Sequence, residues 1–218
     1  MIASHIHDAL AQVRKLQRFI LEKSNFCGYS GSARIIGGLA ALGGAALIAS
    51  GKIPATPQAS LAVWGAVLAV GLVVNYGGLA LWFLRAPESG RKFASLTPAL
   101  DAVPPLAAGA VLSLALVLKS QFDFLFGTWM CLYGVAHAAY RRSLPPENYL
   151  VGLFYLFCGA ACLLLPRINF ADPWPMGLVF FAGETAGGIV LYCAKGAGEG
   201  DNIEKTREGE QDDRPENH

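Results

Sequence analysis

Long uncharged apolar runs constrain this chain more than any other feature of its sequence. Six segments, approximately 35–50, 61–84, 102–118, 122–140, 150–165 and 176–194, hold only two formal charges between them, Asp123 and Glu184. A helix crosses a bilayer with about 20 mostly apolar residues, so all six are candidate spans. The first and fifth lie near the lower limit of length and recruit flanking small residues such as Ser32, Ala33 and Gly51. The third opens with Pro104-Pro105, which a helix tolerates in its first turn, where the missing N–H has no intrahelical partner anyway. No segment alternates apolar and polar residues as a barrel strand does. The chain as a whole carries 15% charged residues, against about 25% in soluble proteins. The expected fold is an all-α integral membrane protein with six transmembrane helices.

Basic residues are retained on the cytoplasmic side of a membrane, and here they fall unevenly. Fourteen, including Arg34, lie in the N-terminal segment, the second and fourth connections and the C-terminal tail; only Lys52, Lys119 and Arg167 lie on the other side. Both termini are therefore expected inside. Residues 1–30 lack the continuous apolar stretch of a cleavable signal peptide, and the first span is expected to serve as an uncleaved signal. Of five cysteines, Cys27 and Cys193 fall on the inner side and Cys131, Cys158 and Cys162 within spans, so no external disulfide is expected. Cys158 and Cys162 stand one turn apart but lack two further ligands nearby. They read as small hydrophobes, and no metal site is expected.

Both ends of the chain differ from its middle. Ile2, Ile6, Ala9, Val13, Leu16 and Ile20 recur at spacings of four and three, the pattern of an amphipathic helix. Residues 1–31 are expected as a cytoplasmic amphipathic helix, lying on the anionic leaflet or pairing with a partner. Residues 32–195 form the six-helix domain. Residues 196–218 hold eight acids, no aromatic residue and few aliphatic ones, and are expected to be a disordered acidic tail.

The spans group into three hairpins with short external turns. Span two ends Asn75-Tyr76-Gly77-Gly78 and then Trp82 and Arg85; span six ends Thr185-Ala186-Gly187-Gly188 and then Tyr192 and Lys195. Paired glycines, aromatic and cation coincide at a constant offset of 110 residues. In the odd spans, Gly43-Gly44-Ala45-Ala46 matches Gly159-Ala160-Ala161-Cys162, with Pro54 and Pro166 following. An internal repeat of three hairpins is expected. The pattern over about 33–195 resembles the HdeD-type six-helix bacterial inner-membrane proteins. That resemblance implies a bacterial, envelope- or stress-associated membrane protein, and it carries no chemistry with it. The N-terminal amphipathic helix and the acidic tail depart from that pattern.

An ionisable group inside a membrane is costly and hence a candidate for function. Glu184 is the deepest, about ten residues from the inner end of span six, and Gly183, Gly187 and Gly188 near its face suit close helix packing. Gly77 and Gly78 are their counterparts in span two. Asn75, at a related depth, is the expected hydrogen-bond donor to Glu184. Thr185 joins the candidate polar site, or bonds to its own helix backbone; His137, one turn before Arg141, is expected near the inner headgroups. Glu184 is read in two ways: as a hydrogen-bonded packing residue that glutamine could replace, or as a proton or cation site.

Zinc-protease, serine-hydrolase and P-loop signatures do not occur in the sequence, so no catalytic residues and no cofactor are expected. No basic stripe interleaved with aromatics points to nucleic acid. The function expected is a non-catalytic inner-membrane scaffold or accessory subunit, in contact with lipid and with a membrane-protein partner or a second copy. A small transporter or channel using Glu184 is the alternative.

Overall fold

A computed structural model of the chain describes Val13 and residues 30–85, 103–139, 144–165 and 168–212, with side chains described except in 78–85 and 195–212. The described residues form six helices: α1 (Gly31–Ala49), α2 (Pro57–Arg85), α3 (Val103–Leu118), α4 (Leu125–Ala139), α5 (Asn148–Leu164) and α6 (Trp174–Asp212). A short 3-10 turn, Phe122–Phe124, leads into α4. There is no strand among the described residues, and each of the six apolar runs is helical. Gly31–Ala49, Pro57–Gly77 and Trp174–Ala194 are long and apolar enough to cross a membrane; Val103–Leu118 and Asn148–Leu164 are shorter apolar helices. The amphipathic helix expected over 1–31 lies outside the described residues, apart from helical, half-exposed Val13.

Local chemistry sets the helix ends. Thr56 Oγ1 accepts from Ala59 N–H at 3.3 Å, and Pro57 occupies the first helical position of α2. Pro104 and Pro105 sit in the first turn of α3 as expected. Asp172 Oδ1 accepts from Trp174 N–H at 3.2 Å where α6 begins. α1 ends at Ser50-Gly51, and Gly51 takes a φ of +70° that admits the turn into the next helix. At the far end, α6 runs past Gly196 to Asp212, into the segment expected to be disordered. A helix once nucleated propagates cheaply, and the next proline is Pro215.

Neighbouring helices pack antiparallel in the order α2, α1, α6, α5, α4, α3, leaving α2 and α3 with little or no mutual contact. Glycines set the two tightest interfaces. A Cβ on Gly134 would stand 2.8 Å from the Gly152 carbonyl oxygen, and one on Gly127 would stand 2.8 Å from that of Gly159. Across α1 and α6, a Cβ on Gly31 would stand 2.6 Å from the Gly188 carbonyl. Backbones that approach this closely gain dispersion and weak Cα–H···O contacts, the forces left once the solvent is lipid. Gly77 takes no part: a Cβ there meets nothing within 4 Å. Gly78 lies outside the residues whose side-chain surroundings are described.

Towards the turns that close the three hairpins, the core is apolar. Trp64 meets Phe126 edge-on with ring centroids 5.6 Å apart, and Phe126 packs on Phe170 at 4.8 Å. Asp123, one of the two charges within the apolar runs, accepts from Phe170 N–H at 2.9 Å and ties the α3–α4 turn to the α5–α6 turn. Towards the opposite end the core becomes polar.

Candidate functional site

Four helices each contribute to one buried polar cluster. Arg34, in the first turn of α1, extends across the bundle to Glu184 on α6. Its Nε donates to Glu184 Oε2 and its Nη2 to Oε1, both at 3.0 Å. Arg34 is 5% exposed and Glu184 4%, so neither charge has bulk water to neutralise it. A carboxylate and a guanidinium paired at two points is the strongest geometry available to such ions.

The surroundings satisfy most of what that pair leaves over. Tyr133 of α4 and Tyr155 of α5 both donate their hydroxyls to Glu184 Oε1, at 2.9 and 3.0 Å. Arg34 Nη1 donates to Asn148 Oδ1 of α5 at 2.6 Å, and Nη2 lies 2.8 Å from His137 Nε2 of α4. A guanidinium only donates, so His137 Nε2 must accept and its proton sits on Nδ1. That nitrogen donates to the Tyr133 carbonyl at 3.0 Å. The histidine is thus held neutral, in one tautomer, by a bond on each side. The cluster carries one positive and one negative charge and sums to zero.

Glycines on α6 make room for it. A Cβ on Gly183 would overlap the Tyr155 ring, 2.5 Å from its hydroxyl oxygen, and one on Gly187 would collide with the Arg34 guanidinium. These glycines were expected to admit another backbone. Gly188 does so, whereas Gly183 and Gly187 admit the tyrosine and the arginine.

Several expectations for individual residues change. Asn75 does not partner Glu184; its amide donates to Gly71 O one turn back at 2.9 Å, so the local bond wins. Thr185 stays out of the cluster and off its own backbone, its buried Oγ1 having no hydrogen-bond partner. His137, expected near the inner headgroups, is turned into the bundle: it is 3% exposed and bonded to Arg34. Arg34, first grouped with the inner loop cations, is a core residue. Tyr133, Tyr155 and Asn148 were not singled out at all. One signal could have found Arg34, since a buried carboxylate needs a cation and Arg34 is the basic residue nearest the start of an apolar run.

A cavity of about 480 Å³ opens beside the cluster. Arg34, Tyr133, His137 and Glu184 line one end, and apolar faces of α2 and α3 line its sides. Among the described residues, no three His, Cys, Asp or Glu side chains gather as a metal site would require. Comparisons with protein-family profiles, curated proteins and solved structures gave no match to this chain.

Proposed function

We propose that this protein is a non-catalytic multi-pass protein of a bacterial inner membrane, an envelope- or stress-associated scaffold or an accessory subunit of a membrane assembly. The observation that carries this reading is the closed Arg34–Glu184 pair. Both carboxylate oxygens are already held by a guanidinium of the same chain, as suits a group that fixes helix positions. A proton or cation carrier needs a carboxylate free to exchange its partner.

Six spans in three hairpins, with both termini in the cytoplasm, complete the proposal. The alternation of antiparallel neighbours supports it, as does the charge bias: with Arg34 assigned to the core, thirteen basic residues remain on the inner side against three outside. Large apolar side chains face outward, among them Val73, Phe157 and Leu164, each at least 70% exposed. That surface suits lipid and membrane-protein partners, including a second copy. The resemblance to HdeD-type proteins points the same way.

The alternative, a small transporter or channel using Glu184, has less support because the adjoining cavity is walled mainly by apolar side chains. Proteoliposome flux separates the two. The wild type should show no pH- or cation-driven flux above empty vesicles. Flux that disappears in a folded Arg34→Gln, Glu184→Gln double variant would replace the scaffold with a transporter.

A further inference from the structure

Two of the three places where hairpins meet are closed, and both follow one rule. The first helix of one hairpin lies on the second helix of another, α1 on α6 and α5 on α4, and glycines bring backbone against backbone in each. The same rule applied once more pairs α3 with α2. These are the two helices that share little or no contact, and they form the side walls of the cavity of about 480 Å³. No residue of α3 is buried. On the cavity side of α2, a Cβ on Gly65 or Gly71 meets nothing within 4 Å. Glycine inside a helix is disfavoured relative to alanine. Close packing offsets that at Gly31, Gly127 and Gly134, but nothing in the described arrangement offsets it at Gly65 and Gly71.

Freedom to move falls on the same two helices. The bonds of the polar cluster described above tie α1, α4, α5 and α6 to one another, and α2 and α3 supply none of them. Apart from that frame, α2 packs along α1 alone, and α3 packs along α4 and the short turn before it. Depth is also matched across the gap. Contacts traced around the bundle run from Gly44 with Val67, through Gly38 with Phe181, Phe180 with Tyr155 and Gly152 with Gly134, to Leu132 with Gly109. In antiparallel helices they set Gly71 level with Gly109 and Ala110 to within about one helical turn.

We propose that α2 and α3 close on each other as a third glycine interface, Gly71 against the Gly109–Ala110 stretch, and that the described arrangement is the resting, open form of a bundle with two forms. The four helices joined by Arg34 and Glu184 are the frame, while α2 swings on α1 and α3 on α4. Closure gains the same dispersion and Cα–H···O contacts that hold the other two interfaces. It removes the cavity and covers the side of Arg34, Tyr133, His137 and Glu184 that faces it in the open form. The proposal rests on the three-hairpin reading, which places α2 and α3 side by side and antiparallel.

The test is disulfide trapping in the full-length protein, one copy per lipid nanodisc, with native cysteines kept and each bridge mapped by peptide mass spectrometry. A disulfide needs Cα atoms about 6 Å apart, so a bridge across the cavity reports closure. Two pairs whose positions line the cavity from opposite sides, Gly71→Cys with Ala110→Cys and Asn75→Cys with Leu106→Cys, should bridge under mild oxidation. Val73→Cys with Val111→Cys, at similar depth but exposed and off the cavity wall, should not. Gly71→Leu fills the space that closure needs. It should keep the wild-type melting temperature and slow bridging of the Asn75, Leu106 pair about fivefold or more. The proposal fails if neither cavity pair bridges, if the Val73, Val111 pair bridges as readily, or if Gly71→Leu lowers the melting temperature or leaves bridging unchanged. Labelling of Ser89→Cys from outside the cell would instead break the hairpin reading beneath it; an inside Ser89 with no bridge sinks closure alone.

Discussion

Arg34 and Glu184, 150 residues apart in the chain, face each other through two hydrogen bonds of 3.0 Å in the bundle interior. The pair joins the first helix to the last, and through His137, Tyr133, Asn148 and Tyr155 it reaches α4 and α5 as well. One neutral cluster therefore indexes four helices. Sliding any one of α1, α4, α5 and α6 along its axis breaks bonds of the cluster, so the cluster opposes a change of helix register as well as adding attraction.

The two tyrosines share the load on Glu184 Oε1. Tyr133→Phe or Tyr155→Phe removes one donor while the other tyrosine and Arg34 remain, so each should cost about 1 kcal/mol. The double variant leaves Oε1 with Arg34 alone and should cost more than the two single losses combined. Unfolding in mixed micelles, followed by tryptophan fluorescence, measures this; strictly additive losses would mean that the hydroxyls act independently.

Glycine positions should divide according to what they face. Gly134→Leu and Gly159→Leu place a side chain against the partner backbone, where a Cβ would stand 2.8 Å from the Gly152 carbonyl oxygen and 2.8 Å from the Cys131 nitrogen, respectively. Each should separate α4 from α5 and cost about 2 kcal/mol or more. Gly43→Leu, at an exposed site with nothing within 4 Å, should leave the melting temperature within about 2 °C of wild type.

Topology is checked by cysteine accessibility. In cells, cysteines placed at Lys52, Lys119 or Asn169 should react with an impermeant maleimide from outside, and cysteines at Ser89, Ser143 or Gly200 should not. Labelling at Ser143 from outside would break the arrangement of three hairpins.

Helices were legible from sequence because the bilayer imposes a length and a composition that few other folds share, and each of the six runs is helical. Burial of Glu184 was legible for the same reason. Its partner was not. A cation three residues into a helix reads as a loop charge until α1 is seen to start at Gly31 and turn Arg34 inward. Tyr133 and Tyr155 did not stand out within their apolar runs because a phenol is mostly ring. Asn75 looked like the donor by depth, yet an amide inside a helix can satisfy itself at the preceding turn, and it does so here. Glycine spacing showed where helices were able to approach closely, but not which of those faces meet. Gly183 and Gly187 admit side chains, Gly77 meets open space, and the α2–α3 gap depends on tertiary packing that no local pattern encodes.

The ion pair itself is tested most directly by a double-mutant cycle on Arg34 and Glu184, with unfolding free energy measured in mixed micelles. Glu184→Gln leaves a buried guanidinium unneutralised, and Arg34→Gln leaves a buried carboxylate unneutralised, so each single variant should lose about 3–5 kcal/mol. Glutamine at 184 is thus a harsher change than it would be for an isolated, protonated glutamate. The Arg34→Gln, Glu184→Gln double variant removes both charges and keeps polar groups at both ends. It should be more stable than the sum of the single losses by at least about 2 kcal/mol. Single variants that melt with the wild type, or losses that simply add, would show that Arg34 and Glu184 do not hold the bundle together.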